Sequence, residues 1–374
     1  MEQVKKFTMD DIVNDDNLID ISESLWIELN ESMSKDEIKQ LISDTIQSKN
    51  IRMPMLQITE QEMLDEFEKL KKLDSKTLLK NGTFSSRYPF KAPKKNWYID
   101  IDKKGMKASN YFHQENRWHC DSINSPSPYR TWTQERFRLT LFKALWTLKF
   151  PKINETTLRS AISLRKYIAS QFRPSAAKTI YEFFNSKRVL DFSAGWGDRL
   201  LAFASCENTE HYTGIDPNTA LFEGYQKQIE TYGGNKEYKM ITGCAEDVIL
   251  EEAFYDTVFT SPPYFNVEKY SKDETQSFKK YKKVDEWLDK FLFKSLDNAW
   301  KALKRGGYLI VNISDVYSNH RVNQLCDPMF EHMKSKKDAH YYGTLGLRLP
   351  KRPKSKSSEI ADVFAEPIFI WHKA

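Results

Sequence analysis

The sequence predicts an α/β fold: a mostly parallel sheet of seven strands that ends in an antiparallel hairpin, preceded by a mainly helical and irregular N-terminal region. From Arg188 onward, short β-branched or apolar runs alternate with longer amphipathic stretches, which is typical of a parallel sheet covered by helices. The last two runs, HYYGTLGLRL and AEPIFIWHK, have no helix between them, so we expect them to pair as antiparallel strands. With 374 residues, the chain is long enough for two domains.

The N-terminal residues follow a different pattern. The segments SKDEIKQLISDTIQ and ITEQEMLDEFEKLKKLD have apolar residues at helical spacing, whereas residues 80–132 are rich in turn-forming and aromatic residues. Further helices are predicted over residues 132–149 and 155–170. We therefore expect an N-terminal region over residues 1–150, with a role in substrate recognition, and a second domain over residues 151–374.

The composition is that of an ordinary soluble protein. No apolar run is long enough to cross a membrane, and the start MEQVKKFTMDDIVNDDN is too acidic and polar for a signal peptide. We expect a soluble intracellular protein, in the cytoplasm or nucleoid, without a membrane partner. No metal site is predicted, because His113, His119 and Cys120 lack a second pair of ligands.

The first strand of the alternating region ends in the glycine-rich stretch DFSAGWGDRL. Gly195 and Gly197 allow the backbone to turn sharply near a ligand, and a helix that begins near Asp198 points its free N–H groups there. The spacing lacks the third glycine of a dinucleotide fingerprint, so NAD is the weaker interpretation. The loop alone indicates either a nucleotide-like ligand or a plain strand-to-helix turn.

The next two predicted strands end in acidic residues. Asp216 follows the glycine loop by about 20 residues, where an acid can bind both hydroxyls of a ribose. The third strand ends in ITGCAEDV, where Ala245 offers a backbone amide and Glu246 or Asp247 offers a carboxylate toward the edge of a base. These positions favour a ligand that contains an adenosine.

The fourth predicted strand stops abruptly at TSPPY, residues 260–264. Because proline cannot donate a ladder hydrogen bond, the strand through Val258 and Phe259 has to end there. The two prolines fix the backbone beside the Ser261 hydroxyl and the Tyr264 ring. Taken alone, the tetrapeptide is equally compatible with a structural turn that packs a tyrosine.

In this order, the motifs resemble those of the S-adenosylmethionine-dependent amino-methyltransferases of DNA, which methylate cytosine N4 or adenine N6. The resemblance rests on residues 191–197, Asp216 and residues 261–264, and on the upstream stretch QFRPSAAKTIYEFF. It covers about residues 165–374 and does not cover the first 150. It implies a Rossmann-like class I methyltransferase fold, with S-adenosyl-L-methionine as the cofactor.

The resemblance also implies a role for each matching residue. The residues expected to bind the cofactor are Phe172, Pro174, Asp191, Ser193, Ala194, Gly195, Gly197, Asp216, Ala245 and Glu246. The residues expected to hold the target amine are Ser261, Pro262, Pro263 and Tyr264. The lone pair of such an amine is delocalised into the ring, so oxygen acceptors at its N–H bonds favour a more tetrahedral, reactive nitrogen. Tyr264 would stack on a base that is rotated out of the helix or presented in a single strand.

Basic residues lie near these motifs and indicate a nucleic-acid partner, although the net charge of +5 alone is too small to do so. The candidates are Lys279, Lys280, Lys282 and Lys283, interleaved with aromatic residues, and Arg348, Lys351 and Arg352 in a loop between the last two strands. For both stretches, the alternative is a solvated loop.

These observations favour a site-specific DNA methyltransferase. Cytosine N4 is the favoured target because S-P-P-Y in the resembling family is most often associated with cytosine. One alternative target is adenine N6 of DNA. Another is RNA, or a glutamine amide in a protein. A third alternative is a non-catalytic binding module that kept the fold. A companion restriction nuclease is a further candidate partner.

Overall fold

The structure is a computed structural model and describes residues 7–318, 320–350 and 363–374. The described residues form fifteen α-helices: α1 (Glu23–Ser32), α2 (Lys35–Ser48), α3 (Glu60–Lys71), α4 (Met106–His119), α5 (Pro128–Thr133), α6 (Glu135–Leu141), α7 (Lys143–Thr147), α8 (Glu155–Arg165), α9 (Pro174–Phe183), α10 (Asp198–Ser205), α11 (Phe222–Tyr232), α12 (Ser277–Lys280), α13 (Val284–Trp287), α14 (Lys294–Ala302) and α15 (Cys326–Lys334).

The same residues form fourteen strands: β1 (Leu79–Asn81), β2 (Phe84–Ser85), β3 (Lys94–Ile99), β4 (Asp121–Ser122), β5 (Arg188–Asp191), β6 (His211–Asp216), β7 (Glu237–Thr242), β8 (Tyr255–Thr260), β9 (Glu268–Lys269), β10 (Leu303–Asn312), β11 (Val316–Ser318), β12 (Arg321–Asn323), β13 (Ala339–Arg348) and β14 (Val363–Lys373). Every helix among the described residues is too short or too polar to span a bilayer.

The chain divides into two compact units, and each is built from two separate stretches. The first combines the described part of Met1–Gln57 with Glu115–Ala169, and the second combines Ile58–Gln114 with the described part of Ser170–Ala374. Residues 58–114 thus pack with the later part of the chain. For example, a Cβ added at Gly105 would lie 2.8 Å from both Leu70 and Pro174. The units therefore follow a different division from the boundary predicted at residue 150.

The first unit is helical around its own apolar core. Helix α2 begins with a reciprocal capping box between Ser34 and Glu37, which satisfies free N–H groups of its first turn. The core contains Trp26, Ile42 and Phe142 together with other apolar residues of α1, α2 and α6–α8. Residues 132–149, predicted as one helical stretch, form the end of α5 and the short helices α6 and α7.

The second unit is organised around a sheet of ten strands in the order β1-β3-β13-β14-β10-β8-β5-β6-β7, with β2 beside β14. Strands β7, β6, β5, β8 and β10 are parallel to one another, whereas β14 is antiparallel to both β10 and β13. This arrangement confirms the predicted α/β fold, with a mostly parallel sheet and a C-terminal antiparallel hairpin. The seven predicted strands form the part of the sheet from β13 to β7.

The three additional strands come from residues that the sequence predicted to be irregular. Strand β3 lies parallel to β13, with Tyr98 opposite Gly346 and Ile99 opposite Leu347. Ile99 is fully buried among the apolar residues of the sheet, which explains why this segment joins it. Its aromatic and β-branched run, WYI, is flanked by lysines and turn-forming residues, so the sequence pattern there does not predict a strand.

The topology places the predicted motifs at one edge of the sheet. Strands β5, β6, β8 and β10 are parallel, so their carboxyl ends meet there, and β14 begins at the same edge because it is antiparallel to β10. This edge is where ligands bind in open α/β sheets. The residues that follow these strands therefore lie at the edge where a ligand would bind.

Candidate active site

The glycine loop between β5 and α10 is a tight turn in which both glycines have positive φ angles. Gly195 has φ 58° and Gly197 has φ 70°, a region that residues with a side chain rarely adopt. A Cβ at Gly197 would lie 2.2 Å from Gln228 Oε1, so a side chain there requires Gln228 or the loop to shift. At Gly195 the nearest atom to an added Cβ is the carbonyl oxygen of Ser193, 3.7 Å away, so the loop leaves space on this side.

Asp191, at the end of β5, supports this loop from inside the protein. It is completely buried, and its carboxylate accepts hydrogen bonds from Arg199 Nε at 2.7 Å and from the Tyr212 hydroxyl at 2.9 Å. Arg199 also donates to the carbonyl oxygen of Ser193. The structure thus places Asp191 behind the loop, where its charge is used to hold the backbone that follows. Its predicted contact with a cofactor stays a prediction.

Asp216, at the end of β6, connects the second strand to the glycine loop. Its Oδ2 accepts a hydrogen bond from the Gly195 amide and its Oδ1 accepts one from the Asn218 amide, both at 2.9 Å. Burial raises the pKa of Asp216 to about 6, although these two N–H groups act in the opposite direction. A carboxylate has about four lone-pair positions, so these two bonds leave about two of them unused.

After β7, the predicted cofactor residue Glu246 is paired with a predicted nucleic-acid residue. Its carboxylate is almost completely buried and accepts hydrogen bonds from Lys280 Nζ at 2.6 Å and from the Tyr281 hydroxyl at 3.2 Å. Burial alone would lower the pKa of Lys280, but its bonds to Glu246 and Asp247 raise it above its ordinary value. In this structure, Lys280 therefore neutralises the acid beside it.

The Lys280 pair also bears on metal binding at this corner of the sheet. Cys244, Glu246 and Asp247 bring one ligand atom each to within 4.8 Å of one another. However, Lys280 binds both carboxylates, and Lys294 Nζ lies 3.0 Å from Asp247 Oδ1. These ammonium groups occupy the positions that a cation would need.

The S-P-P-Y tetrapeptide follows β8 and is anchored to the end of β10. The Ser261 hydroxyl donates a hydrogen bond to Asn312 Oδ1 at 3.3 Å, and the Tyr264 hydroxyl lies 3.2 Å from the same oxygen. Asn312 is itself fixed, because its Nδ2 donates to the carbonyl oxygen of Pro367 at 3.1 Å and it is 2% exposed. The two side chains predicted to hold the amine are thus oriented by one buried amide.

The other predicted cofactor residues lie close to the glycine loop. The Phe172 ring packs edge-on against Phe259, 5.3 Å between centroids, and Pro174 is the first residue of α9. The Ala194 amide donates to the carbonyl oxygen of Ile215 at 3.0 Å, which ties the loop to β6. Phe172, Pro174 and Ala194 thus have structural roles in the packing, the start of α9 and the loop, and their contact with a cofactor stays a prediction. The same holds for Ser193 and for Ala245, which is 5% exposed.

The residues predicted to contact a nucleic acid differ in the exposure and the pairing of their side chains. Lys282 and Lys283 are exposed, whereas Lys279 Nζ is paired with Glu274 at 2.9 Å. Arg348 Nη1 donates to Asp100 Oδ1 at 2.7 Å. The last two candidates, Lys351 and Arg352, lie outside the described residues.

Three residues of this region were missed in the sequence analysis: Asn312, Arg199 and Glu366. Asn312 ends the predicted strand GYLIVN, and a polar residue at the carboxyl end of a buried strand is a usable signal. Arg199 is the second residue of the helix after the glycine loop, where a buried arginine requires an acidic partner such as Asp191. Glu366 lies in the run AEPIFIWHK, where it is one charge among apolar residues.

Residues 255–369 match the protein-family model N6_N4_Mtase, described as DNA methylase. No curated protein matches the chain. Among solved structures, TrmN from Thermus thermophilus is 12% identical, with a TM-score of 0.38 over 59% of this chain and 54% of that chain. The tRNA (m1A58) methyltransferase TrmI from Aquifex aeolicus is 13% identical, with a TM-score of 0.34 over 55% and 71%.

A putative S-adenosyl-L-methionine-dependent methyltransferase (mmp1179) from Methanococcus maripaludis is 17% identical, with a TM-score of 0.28 over 38% of this chain and 55% of that chain. The chain thus spans just over half the length of TrmN and of this protein. Structural similarity this weak carries no information about the substrate, and the fold assignment rests on the strand order described above.

The family match covers the segment in which Ser261, Tyr264, Asn312 and Glu366 lie. It supports methyltransferase activity, and S-adenosylmethionine as the methyl donor. The space beside Gly195 and the fixed carboxylate of Asp216 are compatible with that donor. Over residues 255–369, the resemblance to the amino-methyltransferases of DNA is confirmed.

Proposed function

We propose that this protein transfers a methyl group from S-adenosylmethionine to the exocyclic amine of a base in DNA, with cytosine N4 as the favoured target. The observation that carries this proposal is the hydrogen bond from the Ser261 hydroxyl to Asn312 Oδ1. A hydroxyl has one hydrogen and two lone pairs, so this bond uses the only donor and leaves Ser261 as an acceptor. An acceptor fixed in this way suits an amine, which presents N–H groups.

The residues around Ser261 then have complementary roles. Ser261 Oγ and the carbonyl oxygen of Pro262 accept the N–H groups of the amine, and the two prolines keep these oxygens in place before the substrate arrives. The Tyr264 ring is half-buried and its hydroxyl is anchored on Asn312, which fixes the plane on which a base would stack. When bound, S-adenosylmethionine supplies the methyl group, and Asp216 and the glycine loop would hold it.

The choice of cytosine over adenine rests on Ser261 and on its association with cytosine in the resembling family. Adenine N6 is the alternative, because its amine presents the same two N–H groups. RNA is a second alternative substrate. For contact with the nucleic acid we propose Lys282 and Lys283, whose side chains are exposed on the segment after the tetrapeptide. We further propose that the N-terminal residues 1–150 contribute to substrate recognition.

The test is an analysis of methylated nucleosides. The purified protein is incubated with S-adenosylmethionine and, separately, with duplex DNA, single-stranded DNA and RNA, and the nucleosides are then identified by mass spectrometry. We expect N4-methylcytosine in DNA, and none after incubation with the Ser261→Ala variant. N6-methyladenine without N4-methylcytosine would reverse the choice of base, and methylation of RNA alone would refute a DNA substrate.

A further inference from the structure

Glu366 lies at the same edge of the sheet as the S-P-P-Y tetrapeptide. It is near the start of β14, opposite Leu347 of β13 and two residues before Ile368, which pairs with Asn312 of β10. Because β14 is antiparallel to β10, its first residues lie where β8 and β10 end. The topology thus brings an acidic side chain from the last strand to the predicted position of the target amine.

Glu366 belongs to the network of side chains around Ser261. Tyr264 and Asn312 lie near its carboxyl group, and both act to lower its pKa. The amide of Asn312 connects the two sides of the site, since its oxygen accepts from Ser261 while its nitrogen donates to the carbonyl oxygen of Pro367, the residue after Glu366. Glu366 is half-buried, so part of the residue remains accessible to solvent.

Methylation of the amine leaves a positively charged nitrogen that has to lose a proton. Three of the four side chains in the network are poor acceptors for it. Ser261 and Asn312 do not ionise near neutral pH, and burial, followed by the charge of Glu366, raises the pKa of Tyr264 well above its usual value, so this phenol keeps its proton. Glu366 is the network residue that can be present as the unprotonated base.

The surroundings of Glu366 set its charge state. Burial is the largest influence and raises its pKa, and the nearby Glu268 acts in the same direction. The side chains of Tyr264 and Asn312 and the positive charge of Arg173 act in the opposite direction, and the balance is a raised pKa. A carboxylate with a raised pKa is a stronger base than an exposed one, which suits a proton acceptor near neutral pH.

The positive charge of Arg173 opposes the rise in the pKa of Glu366. It immediately precedes α9, and within the described part of the chain neither of its terminal nitrogens has a hydrogen-bond partner. Burial lowers the pKa of Arg173 to about 10, while Asp100, Glu366 and Asp102 raise it. The guanidinium thus stays charged at neutral pH and favours the ionised form of Glu366.

We propose that Glu366 is a catalytic residue that accepts one N–H of the target amine and takes its proton after methyl transfer. This proposal rests on the proposed function and names the base for that reaction. As the nitrogen lone pair forms the new N–C bond, the C–S bond of the sulfonium donor breaks and its electron pair goes to sulfur. The N–H bond then breaks, its electrons stay on nitrogen, and the proton goes to a carboxylate oxygen of Glu366, which releases it to solvent after the product leaves.

The test compares Glu366→Gln and Glu366→Ala with the wild type in single-turnover methylation over a range of pH. In the wild type, the rate should rise with pH and level off above the pKa of Glu366. Glutamine keeps an oxygen acceptor and loses the base, so we expect KM to change little, the rate to fall about 100-fold and the pH dependence to disappear. Alanine should also raise KM. Glu331→Gln, an exposed change on α15, is the matched control and should behave as the wild type.

Other outcomes distinguish a role of Glu366 as the base from a different base and from a structural role. If Glu366→Gln retains the pH dependence, or if Glu268→Gln abolishes it, Glu366 is not the base. Equal losses at all pH values together with a lower melting temperature would show a structural role and would also overturn the proposal. Binding of S-adenosylmethionine, measured by calorimetry, should be unchanged in Glu366→Gln, which shows that the variant is folded. A wild type that methylates no nucleic acid would instead refute the proposed function.

Discussion

Replacing Gly197 with alanine should destabilise the protein more than the same change at another glycine with a similar backbone angle. Gly197 has φ 70° and Gly234 has φ 59°, so alanine at either position costs about 1–2 kcal/mol for the left-handed conformation. An added Cβ at Gly234 meets no atom within 4 Å, whereas at Gly197 it would lie 2.2 Å from Gln228 Oε1. Gly234→Ala therefore serves as the control for the backbone angle alone.

Gln228 has little freedom to move away from a side chain at position 197. It is completely buried, and its Nε2 donates to the carbonyl oxygen of Gly197 at 3.0 Å. Accommodating the methyl group therefore requires a shift of the loop or loss of this bond, which adds about 1–3 kcal/mol for overpacking. The expected loss is thus about 2–5 kcal/mol for Gly197→Ala and about 1–2 kcal/mol for Gly234→Ala.

Urea unfolding followed by circular dichroism measures the difference between the two variants. Calorimetric titration with S-adenosylmethionine adds a second measurement, in which Gly197→Ala should weaken binding at least tenfold and Gly234→Ala should not. Equal free energies of unfolding for the two variants, within about 0.5 kcal/mol, would refute the reasoning about the close contact. Unchanged cofactor affinity in a folded Gly197→Ala variant would refute the role of the loop in binding.

Three further predictions concern the charged groups that hold the site together. Arg199→Met leaves the buried Asp191 without its cation and should lower the free energy of unfolding by about 3–5 kcal/mol, measured by urea titration. The pKa of Asp216 is raised to about 6, so the native state binds its proton more tightly than the unfolded state does. The free energy of unfolding should therefore fall by about 3 kcal/mol as pH rises from about 4 to 6. In Asp216→Asn, this dependence of the free energy of unfolding on pH should disappear. Lys280→Ala leaves the buried Glu246 without its cation, so we expect a lower melting temperature that is partly recovered in the double variant with Glu246→Gln.

The sequence predicted the parts of this molecule that depend on local pattern. Strands and amphipathic helices alternate as expected, and the glycine loop, Asp216 and the S-P-P-Y tetrapeptide follow the strands after which they were placed. These features can be predicted because glycine, proline and hydrophobic periodicity act over a few residues. The roles of these residues in binding and catalysis stay predictions.

The partners of these residues could not be predicted in the same way. Asn312 is 51 positions from Ser261, and Glu366 comes from the last strand, so only the strand order brings them together. Strand β3 was missed for a similar reason, because its pairing with β13 depends on a segment almost 250 residues later in the chain. Single-sequence patterns contain no information on such long-range pairing.

The position of β3 matters for anyone who wishes to produce a shorter form of this protein. A fragment that begins at residue 151 would lack β1, β2 and β3, so one side of β13 would lose its neighbour. Unpaired N–H and C=O groups along such a strand are a template for association with other chains. Expression of the fragment 151–374 should therefore give aggregates, and a soluble shortened form would have to keep residues 58–114.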